Sequence, residues 1–374
     1  MGRYTLSLAQ ALSGQDGPEQ LGFLANARVL QSLPASGDSD SGSVTIPPRS
    51  LPRLRRLASA SLLMQILYTR ANAISQRVRI RMASPDVVHG TNFWLPPSRA
   101  AGVLTIHDLS LYVHPECHPR SRLRIVIPQI EQSLKRASMI LTGAECIRHA
   151  VMRQFGLPPE RVAAVPHGCS PRFRPRAPVD ISAALADHGL EPGRYALYVG
   201  TVEPRKNIAC LLDAYESLPR ALRQARPLVL SGDFGWNSEA LHQRMRTARQ
   251  QGWVQYLGYV PDTLLPALYA GARVFVYPSR YEGFGLPVLE AMASGTPVVC
   301  SDIPPLVEVA ADSGLMAAVA DVDGLRAAIE QALTDDDWWQ AAREAGLARA
   351  STFTWERTAR ETVAVYRRAL TGTA

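Results

Sequence analysis

The second half of this chain alternates short, β-branched apolar runs with amphipathic stretches of helical period, and that rhythm leaves few folds open. Tyr195–Val199, Leu228–Leu230, Val254–Leu257, Val274–Tyr277 and Val298–Cys300 read as strands. Leu211–Leu218, Glu239–Gln251, Leu264–Ala270, Val288–Ala293 and Val322–Leu333 read as the helices between them. Strands joined only through helices lie parallel, and a parallel sheet needs both of its faces covered. The expectation is a doubly wound α/β domain.

The first half repeats the theme with longer interruptions. Val87–His89, Val103–Ile106, Met139–Leu141 and Val162–Val165 read as strands, and Ile125–Lys135 and Ile147–Phe155 as helices. A length of 374 residues exceeds what one core usually serves, so two domains are expected. Pro171, Pro175 and Pro178 mark a boundary between them. This gives an N-terminal domain over 1–178, a second over 179–351, and a final segment, 352–374. The start is unusual: Gly2-Arg3-Tyr4 leads straight into a helical pattern (Leu6, Leu8, Leu12). A Rossmann-like domain normally opens with a strand, so the first strand is expected to be missing here. Ala35–Ser43 reads as a surface loop, and Asp335-Asp336-Asp337 as a solvated charge run at the end of a helix.

Charge divides along the same boundary. Residues 1–180 hold 22 Lys and Arg against 11 Asp and Glu, whereas the rest hold 18 against 22. Nearly all of this positive charge is arginine, Lys135 and Lys206 being the two lysines. Arginines between Arg49 and Arg81 interleave with Leu51, Leu54, Leu57, Leu62, Leu63, Ile66 and Leu67. That pattern suits an interfacial helix on an anionic membrane surface, and equally a core-packed helix with a solvated basic side. No aromatic-interleaved basic motif accompanies the charge, which argues against nucleic acid. No run of eighteen apolar residues is present to span a bilayer. Five scattered cysteines without a C-x-x-C pair fit a reducing compartment. The expected location is therefore the cytoplasm, and where the basic stretch is interfacial, the inner face of the cell membrane.

The densest chemical signal is Pro278-Ser279-Arg280-Tyr281-Glu282-Gly283-Phe284-Gly285-Leu286-Pro287-Val288-Leu289-Glu290. A strand ends at Tyr277, a glycine-containing turn follows, and a helix starts near Leu286. Open N–H groups at such a start suit an anion, and Gly283 and Gly285 let its oxygens approach. Glu282 can bind sugar hydroxyls beside the phosphates, and Glu290 can reach ribose hydroxyls. Taken alone, the two glutamates read as a helix-start carboxylate and a solvated helix face.

The segment resembles the E-x₇-E motif of retaining glycosyltransferase family 4, whose GT-B fold sets two Rossmann-like domains facing across a cleft. Its neighbours agree. Gly200-Thr201-Val202-Glu203-Pro204-Arg205-Lys206-Asn207 is similar to the family turn in which an Arg/Lys pair grips the donor diphosphate. Tyr256-Leu257-Gly258-Tyr259-Val260-Pro261 is similar to the segment bordering the base, and Ser301–Glu308 to the loop after the next strand. Thr352–Ala369 resembles the family's last helix, which returns to the first domain. The resemblance runs from about residue 86 onward.

What it implies is transfer of a hexose, mannose in the subfamily it resembles, from a nucleotide sugar to a saccharide or polyprenyl-diphosphate-linked acceptor. The anomeric configuration would be retained, without cofactor or metal. GDP-mannose is the implied donor. Arg205 and Lys206 would stabilise the departing diphosphate, Glu282 would orient the reacting groups, and His107, at the end of the strand Thr105-Ile106-His107, would lie against the sugar. Gly200, Thr201, Gly258, Tyr259, Gly283, Phe284, Gly285, Leu286 and Glu290 would complete the donor site. A catalytically impaired nucleotide-sugar binder, or another GT-B enzyme such as a sugar-nucleotide epimerase, are the alternatives. His114-Pro115-Glu116-Cys117-His118 hints at metal, but Pro115 and Pro119 break helical spacing and no second ligand cluster follows. His167, where the family usually has Asn, reads as a structural residue of the Val165–Gly168 turn.

Overall fold

The computed structural model describes residues 2–14, 76, 78–236 and 238–372. The loop expected over Ala35–Ser43 and most of the Arg49–Arg81 stretch lie outside the described residues. The chain divides into two units, one made of residues 1–109, 119–168 and 355–374, the other of residues 110–118 and 169–354.

In the first unit, helix α1 (Gly2–Ser13) precedes a four-stranded parallel sheet of β1 (Val87–Gly90), β2 (Ala101–Thr105), β3 (Met139–Thr142) and β4 (Val162–Ala164), in that order. The short helix α2 (Ser110–Val113) belongs by its contacts to the other unit. Helix α3 (Arg120–Arg136) connects β2 to β3, and α4 (Glu145–Phe155) connects β3 to β4. All four β3 residues are buried, as strands covered on both faces require. The C-terminal helix, Trp355–Thr371, belongs to this unit although it is last in the chain. It packs Trp355, Ala359 and Val363 against Tyr4, Leu8 and Leu12 of α1, and Val365 and Ala369 against Val103, Met139 and Leu141.

The second unit carries a six-stranded parallel sheet. Its members are β5 (Ala196–Val199), β6 (Leu228–Ser231), β7 (Val254–Gly258), β8 (Val274–Tyr277), β9 (Val298–Ser301) and β10 (Gly314–Ala317). The spatial order is β10-β9-β8-β5-β6-β7. The four inner strands are buried throughout, whereas β7 and β10 at the edges are partly exposed. β10 escapes the sequence reading because Gly314-Leu315-Met316-Ala317 lacks β-branched residues, and pairing with β9 decides its state. The acidic run does follow the end of a helix, Val322–Thr334, with Asp336 and Asp337 exposed, and it also starts the next one. Asp335 caps the helix Asp336–Ala350, accepting from the Trp338 amide at 2.9 Å, and Asp336 lies 2.6 Å from Arg273.

The order places the site. From β5 the chain moves outward to β6 and β7, then returns to β8 on the other side of β5. The loops leaving β5 and β8 therefore diverge at the carboxyl edge, and such a switch point opens a crevice there. Among the described residues, no helix is long and apolar enough to cross a membrane.

Candidate functional site

The crevice is lined by the two motifs that stand out in the sequence. After β5, residues Pro204–Lys206 form a single 3₁₀ turn ending at Asn207, whose φ of 56° reverses the chain into the helix Ile208–Glu216. After β8, Pro278–Gly285 runs to the helix Leu286–Ala293. Gly285 caps that helix at φ 113°, and a Cβ there would lie 2.6 Å from Leu306 Cδ2. The helix is apolar except for Glu290, and residues Val288–Met292 are buried, so packing anchors its body while Leu286 and Pro287 at its start are half-buried.

The adjoining loops are laced together by backbone. The Gly200 amide donates to Ser231 O, Val202 to Asp233 O, Gly232 to Gly258 O and Gly235 to Val202 O. Gly232 sits at φ 152°, and a Cβ on it would stand 1.9 Å from the Gly200 carbonyl oxygen. Glycine is therefore obligatory where these two loops touch.

Five ionisable side chains meet at the crevice floor. Lys206 Nζ donates to Glu282 Oε1 at 2.5 Å and to the Tyr277 hydroxyl at 2.7 Å. Arg205 Nη1 lies 3.4 Å from Glu282 Oε2 and donates to the Tyr281 carbonyl at 2.6 Å. Its Nη2 donates to Glu203 Oε1 at 2.7 Å. Burial alone would raise the Glu282 carboxyl, but the charges of Lys206 and Arg205 and the hydrogen bond from Lys206 outweigh it, leaving it at about 2. Glu282 is thus a carboxylate at any working pH and acts as an acceptor and counter-ion rather than an acid. Burial pulls the Lys206 ammonium below its ordinary value, against the opposing pull of Glu282. Burial raises the Tyr277 phenol far above its ordinary value, so it stays protonated between these two groups.

The remaining sequence candidates fall as follows. Glu290, read in isolation as solvated, is 5% exposed on the buried helix. Phe284 is buried with its ring edge-on to Phe353 at 5.9 Å, which leaves its backbone as the part able to serve a ligand. Gly200 and Thr201 follow β5, Gly258 ends β7 and Tyr259 follows it, with Tyr259 66% exposed. Gly283 precedes the helix, and Leu286 is its first residue. Glu203 and Tyr277 escaped the sequence reading as site residues. Glu203 stands in the same Glu-Pro-Arg-Lys run, and the signal that could have found it is its two-residue spacing from Arg205.

His107 lies in the first unit, after β2. Its Nε2 donates to Thr91 O at 2.9 Å, and its ring meets Tyr4 edge-on at 4.7 Å and His167 at 5.7 Å. Burial lowers it to about 4, so the imidazole is neutral. His167 is buried beside Trp355, and burial lowers it well below its ordinary value. A hydrogen-bonded chain joins Tyr366 Oη to His89 Nδ1 (2.8 Å) and His89 Nε2 to Thr105 Oγ1 (2.7 Å), with Thr105 Oγ1 3.4 Å from Tyr4 Oη. The neighbourhood that sets His107 thus comes from four distant stretches of sequence. In the other unit, His114 Nδ1 pairs with Glu116 at 3.2 Å and His118 Nε2 with Ser110 Oγ at 3.0 Å.

Comparison with known proteins adds to this geometry. The model of a family described as glycosyl transferases group 1 matches residues 182–349. The chain is 40% identical over 367 residues to O-antigen chain mannosyltransferase B of Escherichia coli, across 98% of this chain and 95% of that protein. Among solved structures, Anabaena HepE in complex with UDP and glucose matches with a TM-score of 0.67 at 17% identity, covering 98% of this chain and 95% of that one. WaaG, a glycosyltransferase involved in lipopolysaccharide biosynthesis, gives 0.69 at 18% identity over 97% and 95%. The two structural likenesses speak for the fold, a pair of parallel-sheet Rossmann-like units.

Proposed function

The chain belongs to the group 1 glycosyl transferases and is a glycosyltransferase of the GT-B fold, and from that premise we propose that it moves mannose from GDP-mannose to a saccharide or polyprenyl-diphosphate-linked acceptor, with retention and without a metal ion. The observation that carries this reading is the buried Lys206–Glu282–Arg205 cluster at the switch point of the second sheet, beside a helix start. As the bond from C1 to the leaving phosphate oxygen breaks, negative charge grows on the diphosphate. Lys206, Arg205 and the amides leading into the helix at Leu286 supply the opposing field in a low-dielectric setting. For retention in one displacement, the acceptor oxygen bonds to C1 on the face the phosphate leaves, and that phosphate takes the acceptor's proton. Glu282, held ionised, accepts from sugar hydroxyls, and Glu290 serves the ribose. His107, neutral near pH 7, suits a hydroxyl contact more than proton transfer.

Support for mannose comes from the identity to a relative named as a mannosyltransferase across almost its whole length. The test is nucleoside diphosphate release from GDP-, UDP- and dTDP-sugars with a mannan acceptor, in EDTA, with the product anomer read by NMR. We expect GDP-mannose to lead, EDTA to leave the rate unchanged and the product to be α-linked. Activity abolished by EDTA and restored by Mn²⁺ would overturn the metal-free account, and a β-mannoside would overturn retention.

A further inference from the structure

We propose that Glu203 is a positioning residue of the donor site, holding Arg205 as a strut while Lys206 remains the cation that exchanges its partner for the diphosphate. The inference rests on the donor reading above and assigns a division of labour within the cation pair.

Glu203 is 4% exposed, and its place is fixed from several directions. It is the extended residue (φ −140°, ψ 157°) before the Pro204–Lys206 turn, and its carbonyl accepts the Lys206 amide at 3.0 Å. The loop carrying Gly235 backs it closely: a Cβ at 235 would lie 3.0 Å from Glu203 Cβ and 2.3 Å from Val202 O. From this position the carboxylate takes Arg205 Nη2 at 2.7 Å.

The rest of Arg205 reaches the other loop. Nη1 donates to Tyr281 O at 2.6 Å and faces Glu282 Oε2 at 3.4 Å, while Arg205 O accepts the Arg280 amide at 2.9 Å. A guanidinium is a rigid planar fork, so fixing one nitrogen on Glu203 fixes the direction of the other. The loop after β8 is thereby pinned to the turn after β5, with the Glu282 carboxylate at its tip.

Charge separates the two cations. Arg205 faces two carboxylates and Lys206 faces one, which Arg205 shares. When a diphosphate arrives, Lys206 can turn from Glu282 and leave that carboxylate still compensated by Arg205. Were Arg205 to turn, it would strand the buried Glu203, which costs far more than it returns. A buried ion pair seldom adds net stability over an apolar one, so geometry is the reason to retain Glu203.

The experiment compares wild type with Glu203→Gln, which keeps the shape and removes the charge, and with Arg205→Lys, which keeps the charge and removes the fork. Each is measured for kcat and KM with GDP-mannose, for GDP affinity by calorimetry, and for thermal midpoint. We expect kcat to fall about 10- to 100-fold in both, as a misplaced carboxylate predicts, while GDP affinity holds within about threefold. The double variant should be no worse than the poorer single one, because both remove the same strut. Wild-type turnover in Glu203→Gln, a kcat loss matched by an equal loss of GDP affinity, or single losses that multiply in the double variant would each overturn the proposal. If Glu203→Gln does not fold, Arg205→Lys carries the same kcat-against-affinity test. Failure of the wild type to release nucleoside diphosphate from any sugar nucleotide would overturn the donor reading itself, and the role of Glu203 with it.

Discussion

Replacing Glu282 with Gln tests whether the crevice floor is the charged assembly described above. The carboxyl is 8% exposed and falls from 4.5 to about 2 in the folded protein. At about 1.4 kcal/mol per unit, its ionisation contributes about 3 kcal/mol to the second unit at neutral pH. The sign follows from a depressed folded-state value. The contribution is fully present above the unfolded value of 4.5 and is lost as pH falls through it toward about 2. Glu282→Gln removes this contribution and leaves Lys206 buried without its carboxylate. We expect the variant to be about 3 kcal/mol less stable at pH 7, with the gap to wild type narrowing below about pH 4.5. The assay is urea unfolding of both proteins at several pH values, followed through the fluorescence of Trp253 and Trp339 in the second unit. Comparing two proteins at each pH cancels the other carboxylates. A gap that stays constant from pH 7 to pH 3, or no gap at pH 7, would refute the reasoning.

Three further outcomes are expected. Lys206→Met should lower kcat by about 10²- to 10³-fold, the usual cost of removing one group that stabilises transition-state charge, and stopped-time assays at saturating donor measure it. Unchanged kcat would remove Lys206 from the chemistry. Glu290→Gln should weaken GDP binding by about 1.5–3 kcal/mol, since an amide replaces the charged acceptor proposed for the ribose hydroxyls, and calorimetry decides the matter. Gly232→Ala should destabilise the second unit by more than about 1 kcal/mol, because its Cβ would meet the Gly200 carbonyl, and a thermal midpoint equal to wild type would contradict the loop geometry.

Much of the architecture was legible because it is written locally. The inner strands of the second sheet are short apolar runs, and a strand buried on both faces admits little else. The glycines around Glu282 and the Glu203-Pro204-Arg205-Lys206 run announce a turn and a cation pair before any coordinates. What the sequence could not carry is adjacency. That β5 lies beside β8, although β6 and β7 intervene in the chain, is a non-local pairing that no periodicity encodes. Only that neighbourhood turns two separate loops into one pocket, sets Lys206 2.5 Å from Glu282 and makes Glu203 part of the site. The same holds for Glu290, whose position in the motif left a solvated face open until the packed helix buried it. It holds again for His107, whose protonation state depends on Tyr4, Thr91 and His167 gathered around it. Residue type and spacing select the chemistry available to this chain, whereas burial and through-space charge, which exist only once distant segments pack, determine which groups are ionised and what each one holds.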